Sequence, residues 1–264
     1  MRILNDKNVT DLIEGTFEND VLKSAYSHLN NLHDPLRCNI FALLIRELIR
    51  IMILKLAPDE LVSRASWCTD GRITRRSRYR FAITGMIPEA QIVKHPKLNT
   101  AEAVAELVRL NDTLSKYTHI SPGTYNATQA QADQFIHEVE DVVIEYAHTL
   151  RKTKFEIRDI IWTIVDESVN QHVLEAVPDE LDMLSGQTLV ENIHVEHLQE
   201  FDTSTLMPTL TGSGVAEIEL NYGHGEDHMS SPDSYPLTFE VEIDPETFAV
   251  VVTKVDVDTL SFYE

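Results

Sequence analysis

The sequence predicts an α+β protein in which an all-helical bundle, residues 1–185, precedes a small antiparallel β domain, residues 186–264. Two observations support this fold class. Through the first two-thirds of the chain, apolar residues recur at intervals of three and four, which is the period of a helix with one buried stripe. After Pro178 they alternate with polar residues in steps of two, which is typical of antiparallel strands with one solvent-exposed face.

Four long helices are predicted in the N-terminal part. The first, about 35–57, follows an Asp-Pro pair suited to a helix start and is apolar on most faces, so it should lie at the centre of a bundle. The second, about 99–116, has one apolar stripe. The last two, about 128–152 and 155–177, place their aliphatic residues in helical phase. Long helices with short connections are typical of a bundle.

Strand-like alternation marks four stretches of the C-terminal part, separated by glycines or prolines. The stretches are SGQTLVENIHVEHLQEFDT, GVAEIELNYG, YPLTFEVEID and FAVVVTKVDVD. Their outward positions carry six carboxylates: Glu217, Glu219, Glu240, Glu242, Asp256 and Asp258. Such a face repels phosphate, so nucleic acid is not expected to bind there, and the face suits either a basic partner or the chain's own arginine-rich segment.

Charge is distributed unevenly along the chain. The formal net charge is −21, but residues 35–97 carry 12 basic and 5 acidic side chains. An arginine-rich insert is predicted at 64–97, and its densest part, residues 71–81, is called the arginine segment below. It contains Arg72, Arg75, Arg76, Arg78 and Arg80. Guanidinium groups this close together repel each other unless carboxylate or phosphate neutralises them. The segment is therefore a clasp onto the protein's own acidic helices, a nucleic-acid contact or a surface for a protein partner.

The stretch LNDTLSKYTHIS, residues 110–121, is predicted to end a helix, and it contains side chains that can act in acid-base catalysis or bind phosphate. Imidazole takes up and releases protons near neutral pH, which makes His119 the first candidate for acid-base catalysis. Lys116 is placed to neutralise a phosphate. Asn111 and Lys116 lie five residues apart on this helix, so they are closer along its axis than Arg109 and His119, which lie ten residues apart. The alternative is that His119 only caps the helix C-terminus, where a cation is favoured.

A charged pair, Arg46 and Glu47, lies in the middle of the apolar first helix. Burying such a pair is costly unless it is well partnered, so it either bonds across the bundle or faces a cleft. In the second case Arg46 joins a composite site from two helices. The candidate catalytic residues are then His119, Lys116, Arg109, Asn111 and Arg46.

No cofactor or metal site is predicted. Glu145 and His148 form one Glu-x-x-His step, but carboxylate-bridged bundles need two. His224, Asp227 and His228 lie in a stretch whose glycines, serines and acids favour a solvated loop. A Ser/His/Asp triad, a phosphate-binding glycine loop and a dinucleotide fingerprint are missing from the sequence.

The expected location is the cytoplasm. The two cysteines are far apart in sequence, and the first residues do not have the pattern of a signal peptide. Charged residues interrupt the longest apolar stretch, IFALLIRELIRIMILKLA, which favours a buried helix over a membrane span. A membrane partner is therefore not expected.

Five stretches of the chain resemble a family of bacterial proteins, the predicted pPIWI-associating nucleases. They are LHDPLRCNIFALLIRELIRIMILKLAPDE, LNDTLSKYTHIS, IELNYG, YPLTFEVEIDPET and VDVDTLSFYE. The resemblance covers most of the chain. It implies a nuclease of an antiphage or conflict system, with another protein of that system as a partner.

Residues 20–180 also resemble HEPN domains, all-α bundles many of which cleave RNA without a metal ion. This resemblance implies attack of a ribose 2′-hydroxyl on its adjacent phosphate, with His119 as general base or acid. Lys116 and an arginine, Arg109 or Arg46, would stabilise the developing charge. It also implies an RNA partner held by the arginine segment, and a homo-oligomer in which two protomers complete one site.

The HEPN ribonuclease motif differs from this sequence at two points. Leu110 stands after Arg109 where the family usually has a polar residue, and nine residues separate Arg109 from His119, which is more than in the motif. HEPN relatives without the motif serve as binding or dimerisation modules. The alternative expectation is therefore a non-catalytic sensor or adaptor subunit that dimerises and binds a protein partner.

Overall fold

The structure is a computed structural model that describes residues 2–13, 15–68, 72–185, 187–199, 209–223 and 227–263. It divides into two compact units, Met1–Glu156 and Ile157–Glu264. A long helical region is followed by an antiparallel sheet, which confirms the predicted α+β class. Within the described residues, no helix is both long enough and apolar enough to cross a membrane.

The first unit is built from helices around a central one. The helices are α1 Lys7–Leu12, α2 Thr16–Leu29, α3 Arg37–Leu56, α4 Asp59–Val62, α5 Arg75–Thr84, α6 Glu89–Lys94 and α7 Ala101–Thr118. An eighth helix, α8 Gln129–Glu175, begins in this unit and ends in the second. α3 packs on α2, α5 and α7 and buries Phe41, Ile45 and Ile49. Its central position follows from a sequence that is apolar on most faces.

α8 is one continuous helix where the sequence predicts two. The residues between the two predicted helices, 153–154, include neither glycine nor proline, so nothing in the backbone ends the helix there. Thr153 is also buried, at 2% exposure, which is not what an exposed connection between two helices would show. Two apolar patterns in phase on either side of a short polar stretch therefore indicate one helix and not two.

The second unit contains a four-stranded sheet. The strands are β1 Gln187–Leu198, β2 Thr209–Tyr222, β3 Met229–Ile243 and β4 Val250–Val257, and a short helix α9, Asp179–Asp182, precedes them. They form an antiparallel meander in the order β1-β2-β3-β4. In β2, Ala216 and Ile218 are buried and Glu217 between them is exposed, as the period-two pattern predicts.

The C-terminal half of α8 covers the first strand of this sheet. Asp166 Oδ1 accepts a hydrogen bond from the backbone N–H of Val195 at 3.0 Å, and Asn170 Oδ1 accepts one from Ile193 at 3.1 Å. β1 has register irregularities at Val190/Asn192 and Val195/His197. An edge strand whose donors are satisfied by helix side chains is protected from pairing with another chain.

A buried carboxylate connects α2 to α8 in the first unit. Glu140 is 1% exposed, and its Oε1 accepts hydrogen bonds from the Tyr26 hydroxyl at 2.6 Å and from the backbone N–H of Arg2 at 2.7 Å. Burial opposes ionisation of Glu140, but these donors hold its pKa below the ordinary value. The N-terminal segment is thereby fixed to the bundle.

We expect Tyr26→Phe to lower the free energy of unfolding at pH 7 by about 1–3 kcal/mol, because it leaves a buried acceptor with one donor fewer. The pKa of Glu140 is depressed in the folded state, so this contribution is present above the ordinary value of 4.5 and is lost as pH falls through the folded-state value. The difference from wild type should therefore narrow in acid.

Urea unfolding followed by far-UV circular dichroism measures this difference at several pH values. The matched control is Tyr125→Phe, which changes a tyrosine that is 49% exposed and should leave stability unchanged. Equal stability of Tyr26→Phe and Tyr125→Phe at pH 7 would contradict the assigned role of the buried pair.

Candidate nucleic-acid interface and active site

A basic cleft lies between α3, α5 and α7, and we call it the arginine cleft. Its volume is about 290 Å³. The polar side chains that line it are Arg46, Glu47, Arg50, Arg75, Arg78, Tyr79, Asn111 and Ser115. Four guanidinium groups and one carboxylate give this lining a net positive charge, which suits an anionic ligand.

Each of the three helices contributes residues three or four positions apart, and residues at that spacing share one helix face. They are Arg46 and Arg50 on α3, Arg75, Arg78 and Tyr79 on α5, and Asn111 and Ser115 on α7. The cleft is therefore a composite of three helix faces. Four residues proposed from the sequence, Arg46, Asn111, Arg75 and Arg78, come together in it.

Tyr79 anchors α5 at the base of the cleft. Its side chain is 4% exposed, and its hydroxyl accepts a hydrogen bond from Asn111 Nδ2 at 3.0 Å. Its backbone carbonyl accepts one from the Tyr146 hydroxyl at 2.8 Å, and the two rings meet edge to face. Burial raises the pKa of Tyr79, so the phenol is neutral at pH 7. Asn111 is thus a positioning residue for Tyr79.

On α3, Glu47 lies between the two cleft arginines. Its Oε2 accepts from Arg50 Nε at 2.8 Å and its Oε1 from Arg46 Nη2 at 3.3 Å. The hydrogen bond from Arg50 is the main cause that lowers the pKa of Glu47. Arg46 also donates from Nη1 to Thr118 Oγ1 at 3.1 Å. The charged pair in the apolar helix is therefore both internally paired and open to a cleft.

On α5, the two cleft arginines are paired with acids of neighbouring helices. Arg78 binds both carboxylate oxygens of Asp59, at 2.9 and 3.1 Å, and Arg75 binds Asp112 at 3.0 Å. The bond from Arg78 holds the pKa of Asp59 below its ordinary value. The structure thus has the predicted clasp for these two arginines, and their guanidinium groups still line the cleft.

The other three residues of the arginine segment lie elsewhere. Arg72, Arg76 and Arg80 line a separate pocket together with Trp67. Arg80 pairs with Glu89 at 3.2 Å, whereas Arg72 and Arg76 are exposed. One predicted nucleic-acid contact is therefore divided between two sides of α5.

His119 is the C-cap of α7, and its side chain is exposed to solvent. Its backbone N–H donates to the carbonyl of Lys116 at 3.2 Å, and its carbonyl accepts from Thr124 Oγ1 at 2.9 Å. It does not line the arginine cleft. It follows Thr118, which Arg46 contacts, and it stands four residues after Ser115, one helical turn beyond the cleft lining. Lys116 is exposed on the same last turn.

Arg109 is not brought together with the cleft residues. Its guanidinium group is bound by Glu106 at 2.7 Å and by Glu138 at 2.8 Å. The hydrogen bond to Glu106, followed by that to Glu138, raises the pKa of Arg109. Residues two apart on an α-helix point about 200° apart, so Arg109 and Asn111 face opposite sides of α7.

Sequence reasoning missed three polar residues of the cleft: Arg50, Tyr79 as the anchor, and Ser115. Arg50 stands one helical turn after Arg46 in an otherwise apolar helix, and that spacing was the signal that could have found it. The convergence of three separate helices depends on tertiary packing and carries no local signal.

The metal-type patterns of the sequence do not form clusters in the described part of the chain. Among those residues, no three His, Cys, Asp or Glu side chains could hold a metal ion together. His148 Nε2 lies 3.0 Å from Asp6 Oδ2, at the N-cap of α1. His228 Nε2 lies 3.0 Å from Asn221 Oδ1. His224 lies outside the described residues.

Comparison with protein families gives two matches that together span nearly the whole chain. A family model described as predicted pPIWI-associating nuclease matches residues 10–146, and a second model with the same description matches residues 150–263. The junction between the two matches falls within α8. No curated protein and no solved structure matches the chain.

The bond between Asn111 and Tyr79 predicts strongly non-additive effects of mutation. Asn111→Leu leaves a buried hydroxyl without its donor and should cost about 1–3 kcal/mol of unfolding free energy. Tyr79→Phe likewise leaves the buried amide without an acceptor. The double variant removes both polar groups, so its loss should be smaller than the sum of the two single losses. Urea unfolding of the four proteins measures this coupling, and strict additivity would contradict the positioning role of Asn111.

Proposed function

The chain belongs to the family of predicted pPIWI-associating nucleases, and on that premise we propose that it binds RNA in the arginine cleft and cleaves it without a metal ion. We propose that this activity serves a bacterial antiphage or conflict system, in the cytoplasm, and that a pPIWI protein is the partner, as the family's description says of its members.

The observation that carries this proposal is the convergence of Arg46, Arg50, Arg75 and Arg78 on one cleft. Guanidinium groups bind phosphate oxygens through two parallel hydrogen bonds, which favours arginine wherever a phosphodiester is held. The Ser115 hydroxyl adds a polar group on the third helix. A cleft with this lining suits the backbone of a nucleic acid better than a neutral small molecule.

A phosphate ligand competes for the cleft arginines with the carboxylates that already pair with them, and the two kinds of contact are similar in strength. The pair Arg75–Asp112 has side chains that are 56% and 62% exposed, and exposed ion pairs contribute only about 0–1 kcal/mol. A phosphodiester that meets two or more guanidinium groups at once can therefore replace such partners. The clasp holds the arginines in place without blocking the cleft.

In the proposed reaction His119 acts either as the base that removes the proton of the 2′-hydroxyl or as the acid that protonates the leaving 5′-oxygen. The ribose 2′-oxygen loses its proton and bonds to phosphorus, the bond from phosphorus to the 5′-oxygen breaks, and that oxygen takes a proton. The products are a 2′,3′-cyclic phosphate and a 5′-hydroxyl. His119 serves at one oxygen and water at the other. Arg46 and Lys116 stabilise the charge that develops on the phosphate oxygens.

Arg46 connects the arginine cleft to the end of α7 that carries His119. It lines the cleft and donates to Thr118, the residue directly before His119. A strand held in the cleft would therefore pass near the exposed end of α7. Arg109, which was proposed from the sequence, forms ion pairs with two glutamates and has no part in the proposed reaction. A homo-oligomer in which a second protomer completes the site remains part of the proposal.

A second candidate function is a non-catalytic adaptor subunit, which dimerises and binds a protein partner. The observation that favours it is that each of the four cleft arginines already has a carboxylate partner, Glu47, Asp59 or Asp112. In that case the cleft is a structural ion-pair network. RNA cleavage and salt-sensitive RNA binding would then both be missing from the purified protein.

We expect RNA cleavage to persist in a chelator and to fall by about 100-fold or more in His119→Ala, since acid-base catalysis contributes about 10²–10⁴-fold. Affinity for an uncleavable 2′-O-methyl RNA should stay unchanged. The control is His137→Ala, another exposed histidine of the first unit. RNA and DNA cleavage assays with and without chelator measure these effects. Loss of cleavage in chelator contradicts metal independence, and equal rates for both histidine variants contradict the role of His119.

RNA affinity should increase when the competing carboxylates are removed. Asp59→Asn/Asp112→Asn frees Arg78 and Arg75, and an exposed pair of about 0–1 kcal/mol corresponds to a gain of up to about fivefold per site. The control Asp20→Asn/Asp133→Asn changes the net charge equally at exposed positions outside the cleft. Fluorescence anisotropy with 2′-O-methyl RNA measures affinity. An equal gain in both double variants would show a general charge effect and contradict binding in the cleft.

A further inference from the structure

A second pocket lies on a different side of α5, and we call it the tryptophan pocket. Its volume is about 340 Å³. It is lined by Trp67, Cys68, Arg72, Thr74, Arg76, Ser77 and Arg80. Consecutive residues of an α-helix point about 100° apart, so Arg76 and Arg80 face another side from Arg75 and Arg78. The tryptophan pocket and the arginine cleft share no lining residue.

Two arginines of this pocket have no counter-ion within the described part of the chain. Arg72 and Arg76 are exposed, and neither forms an ion pair or a hydrogen bond with the residues that the structure describes. Arg75 and Arg78, from the same segment, are bound by Asp112 and Asp59. The clasp that neutralises one side of α5 therefore does not extend to the other side, where like charges repel each other.

Arg80 is held firmly in the same pocket, but its donors are poorly satisfied. Its guanidinium carbon lies 4.2 Å from the ring centroid of Trp67, which is a cation–π contact. Nη2 lies 3.2 Å from Glu89, yet not in hydrogen-bonding geometry, so the contact counts as an ion pair only. Burial lowers the pKa of Arg80, Glu89 opposes that shift, and Arg76 adds to it. About a fifth of the side chain, 21%, is exposed.

Unsatisfied donors are concentrated at this place in the fold. Four buried side-chain polar atoms have no hydrogen-bond partner in the described part of the chain, and three of them belong to Trp67 and Arg80. All three are N–H groups, which donate and do not accept. The N-terminus of α5, where Thr74 and Ser77 form a capping box, adds its partial positive charge. The described lining of this pocket carries three guanidinium groups and no carboxylate, which suits an anionic ligand.

We propose that the tryptophan pocket is a second phosphate site, in which Arg72 and Arg76, beside Arg80, hold an internal phosphodiester of the strand bound in the arginine cleft. The identity of that strand as RNA rests on the proposed function. The cleft holds the phosphate to be cleaved, and the tryptophan pocket holds the strand at a second point. α5 thereby contacts the backbone on two sides and sets the direction of the strand.

The test variant is Arg72→Ala/Arg76→Ala, which changes two exposed side chains and should leave thermal unfolding unchanged. For uncleavable single-stranded 2′-O-methyl RNA, the slope of log K against log salt should become shallower by about 0.7, since the variant loses the contact to one phosphate. The loss should be the same for RNAs of different base composition. With cleavable RNA, KM should rise and kcat should stay unchanged.

The charge-matched control is Lys23→Ala/Lys154→Ala, two exposed lysines outside both pockets, and its slope should equal that of wild type. If wild type binds RNA and the arginine variant keeps its slope, the second site is overturned and the arginine cleft stands. A fall in kcat without a change in KM overturns it as well, because the residues then act at the reacting phosphate. If wild type binds no RNA, the proposed function fails and the second site fails with it.

Discussion

The burial of Tyr79 fixes the orientation of α5, and the direction of every arginine on that helix follows from it. Its side chain is 4% exposed and is bonded to α7 through Asn111, while its backbone is bonded to α8 through Tyr146. Turning α5 by one residue would replace this ring by Arg78 or Arg80 in the interior. That exchange would lose about 1.5–3 kcal/mol of apolar burial and would bury a charge as well. The helix therefore has one stable orientation.

With α5 fixed, its basic side chains are divided between two environments. Arg75 and Arg78 join Arg46 and Arg50 of α3 in a cleft whose four guanidinium groups pair with three acids from three helices. Arg76 lies in a pocket where the described residues offer it no acid. Exposed ion pairs are weak enough to be exchanged for phosphate, so both environments suit a nucleic-acid backbone. A net charge of −21 is thus compatible with the proposed binding of an anionic strand, because salt screens distant charges and the nearby guanidinium groups dominate the local potential.

The sequence predicts much of this fold, because apolar periodicity directly reflects which residues are buried. The central position of α3 and the alternation in β2 follow from it, whereas the junction inside α8 does not, since a short polar stretch without glycine or proline is compatible with a continuous helix. The candidate site is harder to predict from the sequence, because the contacts between α3, α5 and α7 join residues that are far apart in the chain. Arg46, Arg75, Arg78 and Asn111, which were proposed from their residue types, line one cleft, whereas Arg109, proposed from its neighbourhood on one helix, lies on the opposite side of α7.

The central claim is that phosphate groups of RNA occupy the arginine cleft formed by three helices around Tyr79. A crystal structure of the protein with a single-stranded 2′-O-methyl RNA tests it most directly. The account predicts phosphate oxygens within hydrogen-bonding distance of Arg46, Arg50, Arg75 and Arg78, with the strand continuing past Thr118 towards His119. RNA bound away from α3, α5 and α7, with the four arginines still paired only to Glu47, Asp59 and Asp112, would contradict it.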